Sequence, residues 1–592
     1  MKHTRLIFSS ILLLIIYPVL TGQIVSPLIK DTSKYLGCAW STAQAPKFNV
    51  YWNQVSPENG GKWGSVEGTK NVMRWTEMDS AYKNARKYHM FFKEHTLVWG
   101  AQQPSWIGGL DSATQHQEIE AWFAAIAARY DTIDYIDVVN EPIHNAPDGM
   151  TPYGATQPNV NYAKALGGKG KTGWDWIINA FRLARQYFPK SKLIMNEYNV
   201  INSSTTTQQY IVIVNLLKAE NLIDGIGEQA HAFTTYGVPA ATLKNNLDAL
   251  ATTGIPIHLT EVDIDGETDL KQLQEMQRVF PIFWKHSGVK GITFWGFRNG
   301  LWRTAQGAFL VTSQGVERPA LKWLRAYVND SVKLIQTIRV TSTSKDTLFV
   351  GEKLQMSTSI LPDNATIKNV TWSISNTSIA TIDTLGKLTA KASGKITVTT
   401  TAWDGSKVTG TKEIVVINRL VQSIEVFSTT KDTMPVNATL QMNATVLPVN
   451  ATNLAINWSI SPSNLASISS TGLLTATAKG KLTITASAKD ASGVSGTKDI
   501  VINDNSTGIL STKNFENVSI FPNPLANGYL TIQGIDKIKQ IEIFDLTGRK
   551  LAEFNNIKQS FLQVLLKVKP GVYIIKLYDG QQSAYEKIMV NE

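Results

Sequence analysis

Two glutamates carry the residue types and setting for acid and base chemistry: Glu141 in VVNEP and Glu261 in HLTEVDI. Each closes an apolar, strand-like run and has polar neighbours, and 120 residues separate them. A carboxyl pair facing one cleft is what cleavage of a glycosidic bond requires. One group protonates a poor leaving oxygen while the other stabilises or attacks an oxocarbenium-like carbon. Taken singly, either glutamate could as well be a salt-bridged surface residue, so the reading depends on what positions them. The eight His are dispersed and no HExxH helix occurs. No metal site is therefore expected, and acid/base hydrolysis needs no cofactor.

The positioning elements are legible as alternation. Between residues 35 and 328, short β-like runs alternate with amphipathic stretches such as 118–130 and 173–188, whose apolar residues recur at three- and four-residue spacing. The β-like runs are 36–40, 53–59, 90–99, 133–141, 192–198, 224–231, 255–264 and 291–297. Eight such units predict a (β/α)8 TIM barrel. Glu58, Asn59, His95, Asn140, Glu141, Asn196, Glu197, Gln229, His231, Glu261 and Asp263 fall near the C-terminal ends of the runs. In a barrel those ends share the face on which active sites are built. The two glutamates then belong to strands four and seven and point into one cleft.

Beyond residue 330 the composition shifts to Thr, Ser, Val, Ile and Asn. Residues 335–416 and 421–502 are copies at a constant offset of 86, which pairs Trp372 with Trp458, Gly394 with Gly480 and Gly410 with Gly496. Short alternating strands and Gly/Asn turns predict two small β-sandwiches. The twin tryptophans read better as core residues than as sugar-stacking ones. The expected organisation is a signal peptide at 1–22, the barrel at 23–331, repeats at 332–418 and 419–503, a linker at 504–516 and a final β-domain at 517–592.

The N-terminus places Lys2 and Arg5 before an apolar run, Leu6 to Leu20, too short for a secure membrane span. Nothing later approaches a membrane-spanning length, so no integral membrane segment is expected once the signal is removed. One cysteine among 592 residues excludes an internal disulfide; Cys38 reads as a buried strand residue rather than a lipid acceptor. The formal charge of +10 comes from 57 basic and 47 acidic residues. The basic residues are scattered without a dense run, which argues against a nucleic-acid partner.

Residues 35–328 resemble glycoside hydrolase family 10, mostly endo-β-1,4-xylanases. The motifs that carry the resemblance are SPENGGKW (56–63), HTLVWGAQQPSW (95–106), DVVNEP (137–142), MNEYN (195–199), DGIGEQAH (224–231), LTEVDI (259–264) and TFWGF (293–297). The resemblance implies Glu141 as general acid/base and Glu261 as nucleophile of a retaining double displacement, with carboxyls ~5–5.5 Å apart. It implies that Asn140 bonds both the sugar 2-hydroxyl and Glu261, and that His231 contacts Glu261 while Asp263 orients it. Glu58, Asn59, Lys62, His95, Gln102, Tyr198 and Gln229 match substrate-binding positions, and Trp99, Trp295 and Trp302 would form apolar walls. Departures lie at the rim. Gly100 stands where His is usual and is expected to enlarge the site, Glu94 where Gly is common, and Glu197 where Asp is usual. The stretch after Trp295 is one residue short.

The repeats resemble bacterial immunoglobulin-like group 2 modules. The last region, with VSIFPNP (518–524), IEIFDLTGRKL (541–551) and PGVYIIKL (570–577), resembles a type IX secretion sorting domain. The resemblances together imply a secreted or cell-surface retaining endo-β-1,4-xylanase acting on plant xylan, with the type IX secretion machinery as partner. A β-1,4-glucanase or another polysaccharide hydrolase on the same barrel, or an inactive surface glycan-binding protein, are the alternatives; the intact glutamates argue against the last.

Overall fold

A computed structural model describes residues 28–29, 34–149, 160–343, 345–504, 515, 517–525 and 528–591. The expected signal peptide lies outside the described residues, as does most of the expected linker. The chain divides into two compact units, one ending at Val416 and the other beginning at Ile417.

The first unit opens with β1 (Tyr35–Trp40), β2 (Gln54–Pro57), β3 (Phe91–Val98), β4 (Tyr135–Asn140), β5 (Lys192–Glu197), β6 (Gly225–Glu228), β7 (Ile257–Val262) and β8 (Val289–Phe294). They close into a barrel in sequence order, with β8 parallel to β1. Each strand lies within, or overlaps, one of the eight runs read from the sequence. The longer helices are α1 (Thr76–Lys87), α2 (Ser112–Arg129), α3 (Asp175–Tyr187), α4 (Ser204–Ala219), α5 (Ala240–Ala251), α6 (Asp269–Lys285) and α7 (Pro319–Tyr327). The side chains of Asp111, Ser203 and Thr268 accept backbone N–H groups at the starts of α2, α4 and α6 and satisfy donors that the helix leaves unpaired. On α3, Ile177, Ala180, Phe181 and Ala184 are fully buried, the three-to-four spacing of a core-facing stripe. Cys38 is fully buried in β1.

Each repeat is a sandwich of two four-stranded sheets, and the strand order of the first recurs in the second. Trp372 and Trp458 are half-buried and pack against their sandwich cores. Gly386 and Gly472, with φ of 80° and 84°, make the close approach: a Cβ at Gly386 would come within 2.9 Å of the Trp372 ring. In the second unit, the final domain pairs a three-stranded with a four-stranded sheet around Ile532, Ile541, Ile575, Leu577 and Ile588.

The first repeat departs from its copy in one respect. Ile367, 1% exposed, belongs to the barrel's own hydrophobic cluster, and Trp403 packs against that cluster. Trp403 Nε1 also donates to Thr371 Oγ1 at 2.8 Å. The second repeat has Asn453 and Lys489 at these two positions, although both copies keep the same entry clasp from Asp404 or Asp490 to a backbone N–H. Ile367→Asn with Trp403→Lys therefore removes apolar packing and strands an amide, at a cost of about 3–5 kcal/mol. The calorimetric midpoint of the barrel is expected to fall by several degrees; an unmoved midpoint would show that the docking contributes nothing.

A second liability is built into β3. Glu94 is fully buried, and among the described residues no side chain donates a hydrogen bond to its carboxyl oxygens. Gly61 makes room for it, since a Cβ there would lie 2.7 Å from Oε1. Burial, reinforced by Asp137, pushes this carboxyl well above the usual range. The folded chain thus keeps a proton that the unfolded chain releases above about pH 4, and stability is lost as pH rises through and beyond that point. Glu94→Gln is expected to leave stability near pH 4 almost unchanged and to raise it progressively towards pH 8. Thermal melts across that range check the prediction, and a gap independent of pH would sink it.

Candidate active site

At the C-terminal face of the barrel lies a cleft of about 380 Å³. Fourteen of the fifteen residues singled out from the sequence line it: Glu58, Asn59, Lys62, His95, Trp99, Gln102, Asn140, Glu141, Tyr198, Gln229, His231, Glu261, Trp295 and Trp302. Asp263 sits behind His231, with His231 Nδ1 at 2.8 Å from its Oδ2. Phe233 also lines the cleft, 51% exposed and stacked on His231 at 5.3 Å. Sequence reasoning missed it because a lone Phe after a strand carries no chemical signature.

Glu141 follows β4 directly with a φ of 54°, a strained conformation for a side chain with a Cβ. Its N–H donates to Asn196 O at 2.7 Å, and Asn145 N–H donates to its carbonyl at 2.8 Å. The carboxyl accepts from Trp99 Nε1 at 2.9 Å and Asn145 Nδ2 at 2.7 Å on one oxygen, and from Gln229 Nε2 at 2.8 Å on the other. Trp99, expected as a sugar-stacking wall, is thus also a donor to Glu141. Lys62 Nζ lies over the Trp99 ring at 5.2 Å and donates to Asn59 Oδ1 and Gln102 Oε1 at 2.9 and 2.6 Å.

Glu261 stands in β7. Its Oε2 lies 3.3 Å from His231 Nε2, and its Oε1 accepts from Asn196 Nδ2 at 2.8 Å. The direct Asn140–Glu261 bond expected from the resemblance is not what is observed. Asn140 Oδ1 instead accepts from Asn196 Nδ2 at 2.8 Å, so Asn196 bridges the two, and Thr260 Oγ1 fixes the other end of that amide. The sequence places Asn196 at a strand end and carries no signal of this bridging role. His95 Nδ1 and Lys93 Nζ both reach Asp137 Oδ2, at 2.9 and 2.7 Å, which anchors His95 against the Trp295 ring at 5.1 Å.

Gly100 overturns a second expectation. It does not enlarge the cleft, because a Cβ there would lie 2.3 Å from Asn145 O and 2.5 Å from Ala146 O. The loop after Glu141 fills the place of the missing side chain, and Gly100 N–H donates to Asn145 O at 2.9 Å.

The electrostatics separate the two glutamates. Burial, then the charge of Glu197, pushes Glu141 up to about 7, against the donors from Gln229 and Asn145. Burial also works to raise Glu261, but His231 and the cationic surroundings outweigh it and hold the group at about 2. His231 is itself opposed by burial, yet Asp263 and Glu261 on either side raise it to about 10. At neutral pH one carboxyl is poised to hold a proton while the other stays ionised. Two groups driven apart in this way within one cleft mark an acid and its ionised partner. Among the described residues no group of three or more His, Cys, Asp or Glu could hold a metal, and no helix is long and apolar enough to cross a membrane.

A parallel eight-stranded barrel with such a pair on its C-terminal face is the equipment of a glycoside hydrolase. The model of glycosyl hydrolase family 10 matches residues 27–327, and the chain belongs to that family. The bacterial Ig-like domain (group 2) matches 335–412 and 420–498, and the secretion system C-terminal sorting domain matches 519–591. The last indicates a secreted or cell-surface protein. Endo-1,4-beta-xylanase B of Cellvibrio japonicus is 41% identical over 295 residues, covering 49% of this chain and 45% of that protein. An endo-1,4-beta-xylanase of Agaricus bisporus is 28% identical over 302 residues, covering 48% and 86%. Native xylanase 10B from Thermotoga maritima superposes with a TM-score of 0.43 at 24% identity, over 51% of this chain and 97% of that one. The chain spans less than half the length of the Cellvibrio relative.

Proposed function

We propose that the protein is an exported, retaining endo-1,4-β-xylanase. The observation that carries the reading is the opposed state of two carboxyls in one cleft, Glu141 at about 7 and Glu261 at about 2. The xylan assignment is supported by the 41% identity with a xylanase across the barrel.

The chemistry follows from those states. Glu261 attacks the anomeric carbon while Glu141 passes its proton to the leaving glycosidic oxygen; the C–O bond breaks and a glycosyl ester of Glu261 forms. Glu141, now ionised, takes a proton from water as the water oxygen attacks the anomeric carbon. The ester bond breaks, Glu261 leaves as carboxylate and Glu141 regains its proton. Two inversions retain the β configuration. Asn140 would bind the 2-hydroxyl as charge develops on the ring. Glu58, Asn59, Lys62, His95, Gln102 and Gln229 would bind sugar hydroxyls. Trp99, Trp295, Trp302, Tyr198 and Phe233 would offer aromatic surface to sugar faces. Export would run through the type IX machinery by way of the C-terminal domain.

The test is reducing-sugar release from xylan, β-glucan and mannan, with the product anomer followed by NMR from the first minutes. Release from xylan with the β-anomer formed first is the expected result. Strong activity on glucan with none on xylan would replace the substrate, and an α-anomer formed first would overturn the mechanism.

A further inference from the structure

We infer that Glu197 and His144 form a charge pair that sets how far into the alkaline range Glu141 keeps its proton. Both act on Glu141 as positioning residues, and the inference rests on the reading of Glu141 as the acid.

The geometry is a latch across two strand ends. Glu197, fully buried at the end of β5, takes Ile143 N–H on Oε2 at 2.8 Å, and on Oε1 both His144 Nδ1 at 3.0 Å and Tyr198 N–H at 2.8 Å. Two of those three partners belong to the loop that runs from Glu141 to Asn145. Three donors suit an ionised carboxylate. Its register neighbour on β6, Glu228, accepts the Ala230 N–H at 3.2 Å on Oε1, and among the described residues no side chain donates to its Oε2. Burial pushes Glu228 well above the usual carboxyl range, and Glu197 adds to the push. Of the two adjacent carboxyls, Glu197 therefore bears the charge. The other titratable groups facing it are Glu141 from the end of β4, Tyr198 on its own segment and Tyr210 from α4.

Glu141 senses that charge directly; Glu197 is the largest influence on it after burial. Glu261 and Lys62 also act on Glu141 among the described residues. His144 is the part open to solvent. Its side chain is 27% exposed and its ring lies 4.4 Å from that of Tyr198, which lines the cleft. Burial lowers His144, but Glu197 and then Glu141 outweigh it and raise it above the ordinary imidazole value. Coupling is reciprocal: protonated His144 offsets Glu197 and makes Glu141 easier to ionise, while neutral His144 leaves Glu197 bare and makes it harder. As pH rises, the proton lost from His144 helps Glu141 to keep its own. The acid thus stays loaded over a wider range than a fixed surrounding charge allows.

The alkaline limb of kcat/KM reports the acid in the free enzyme. Glu197→Gln is expected to move that limb down by about one pH unit, and His144→Gln to move it up by a smaller amount. Glu197→Asp keeps the charge and is expected to leave the limb in place whatever it does to kcat. Opposite displacements in the two neutral variants are not the mark of a merely structural role. If both lower the rate at every pH without moving the limb, the inference is overturned. Should Glu197→Gln fail to fold, an unmoved or lowered limb in His144→Gln overturns it alone. If Glu141→Gln keeps the wild-type alkaline limb, it is the reading of Glu141 as the acid that falls instead.

Discussion

Glu261→Gln is expected to reduce kcat/KM on the polymer by about four orders of magnitude or more, while oligosaccharide binding changes by less than about tenfold. An amide keeps the shape of the carboxyl and its place beside Asn196 and His231, but it lacks the charge that the proposed mechanism needs for attack on carbon. A 10⁴-fold loss corresponds to about 5.4 kcal/mol of transition-state stabilisation. The substitution also removes one of the two anions that hold His231 at about 10, so the imidazole should titrate at lower pH, visible in NMR. Steady-state kinetics beside titration calorimetry separates binding from turnover. A variant within tenfold of wild type would remove Glu261 from the chemistry altogether.

The second large effect concerns Glu141, where the consequence depends on the substrate. Glu141→Gln should cost about 10²–10⁴-fold on a sugar leaving group, and far less for the first step on an activated aryl glycoside, whose departing phenolate needs no proton. With such a substrate a glycosyl–enzyme accumulates, and azide, which needs no base, restores turnover and gives a β-glycosyl azide. Equal losses on both substrate types would sink the acid/base assignment. Stability runs the other way. With the folded group at about 7 against an unfolded value near 4.3, the buried carboxyl destabilises the fold as pH rises from the lower figure through the higher. Glu141→Gln should therefore stabilise the protein by about 3 kcal/mol at pH 8 and hardly at all at pH 4. A site that gains stability when its acid is neutralised is one that gives up stability for function.

What the sequence made legible was whatever repeats or alternates. The eight strands announced themselves as apolar runs ending in polar residues, and because a barrel gathers those ends on one face, linear position was enough to assemble Glu58, His95, Glu141, Gln229 and Glu261. The twin sandwiches were legible because one copy checks the other. What stayed hidden depends on loop paths and side-chain reach, which have no period. Asn145 reaches Glu141 because the chain turns back on itself after a residue in a left-handed conformation. Asn196, rather than Asn140, partners Glu261 because of which of the two amides reaches its Oε1, and side-chain reach leaves no mark in the sequence. Trp403 carries no signal in the sequence, because the barrel surface it packs against is set by the fold. Gly100 misled for a related reason: a missing side chain was read as space, and a backbone occupied it.

That occupancy ties two distant stretches of the chain into an epistatic pair. Because the carbonyls of Asn145 and Ala146 stand where a side chain at position 100 would begin, placing a histidine there cannot be a local event. It would push aside the very loop that feeds Asn145 Nδ2 to Glu141. Position 100 and the loop after Glu141 are therefore sterically coupled, and a side chain introduced at 100 alone should yield a folded barrel with a misplaced Glu141 carboxyl.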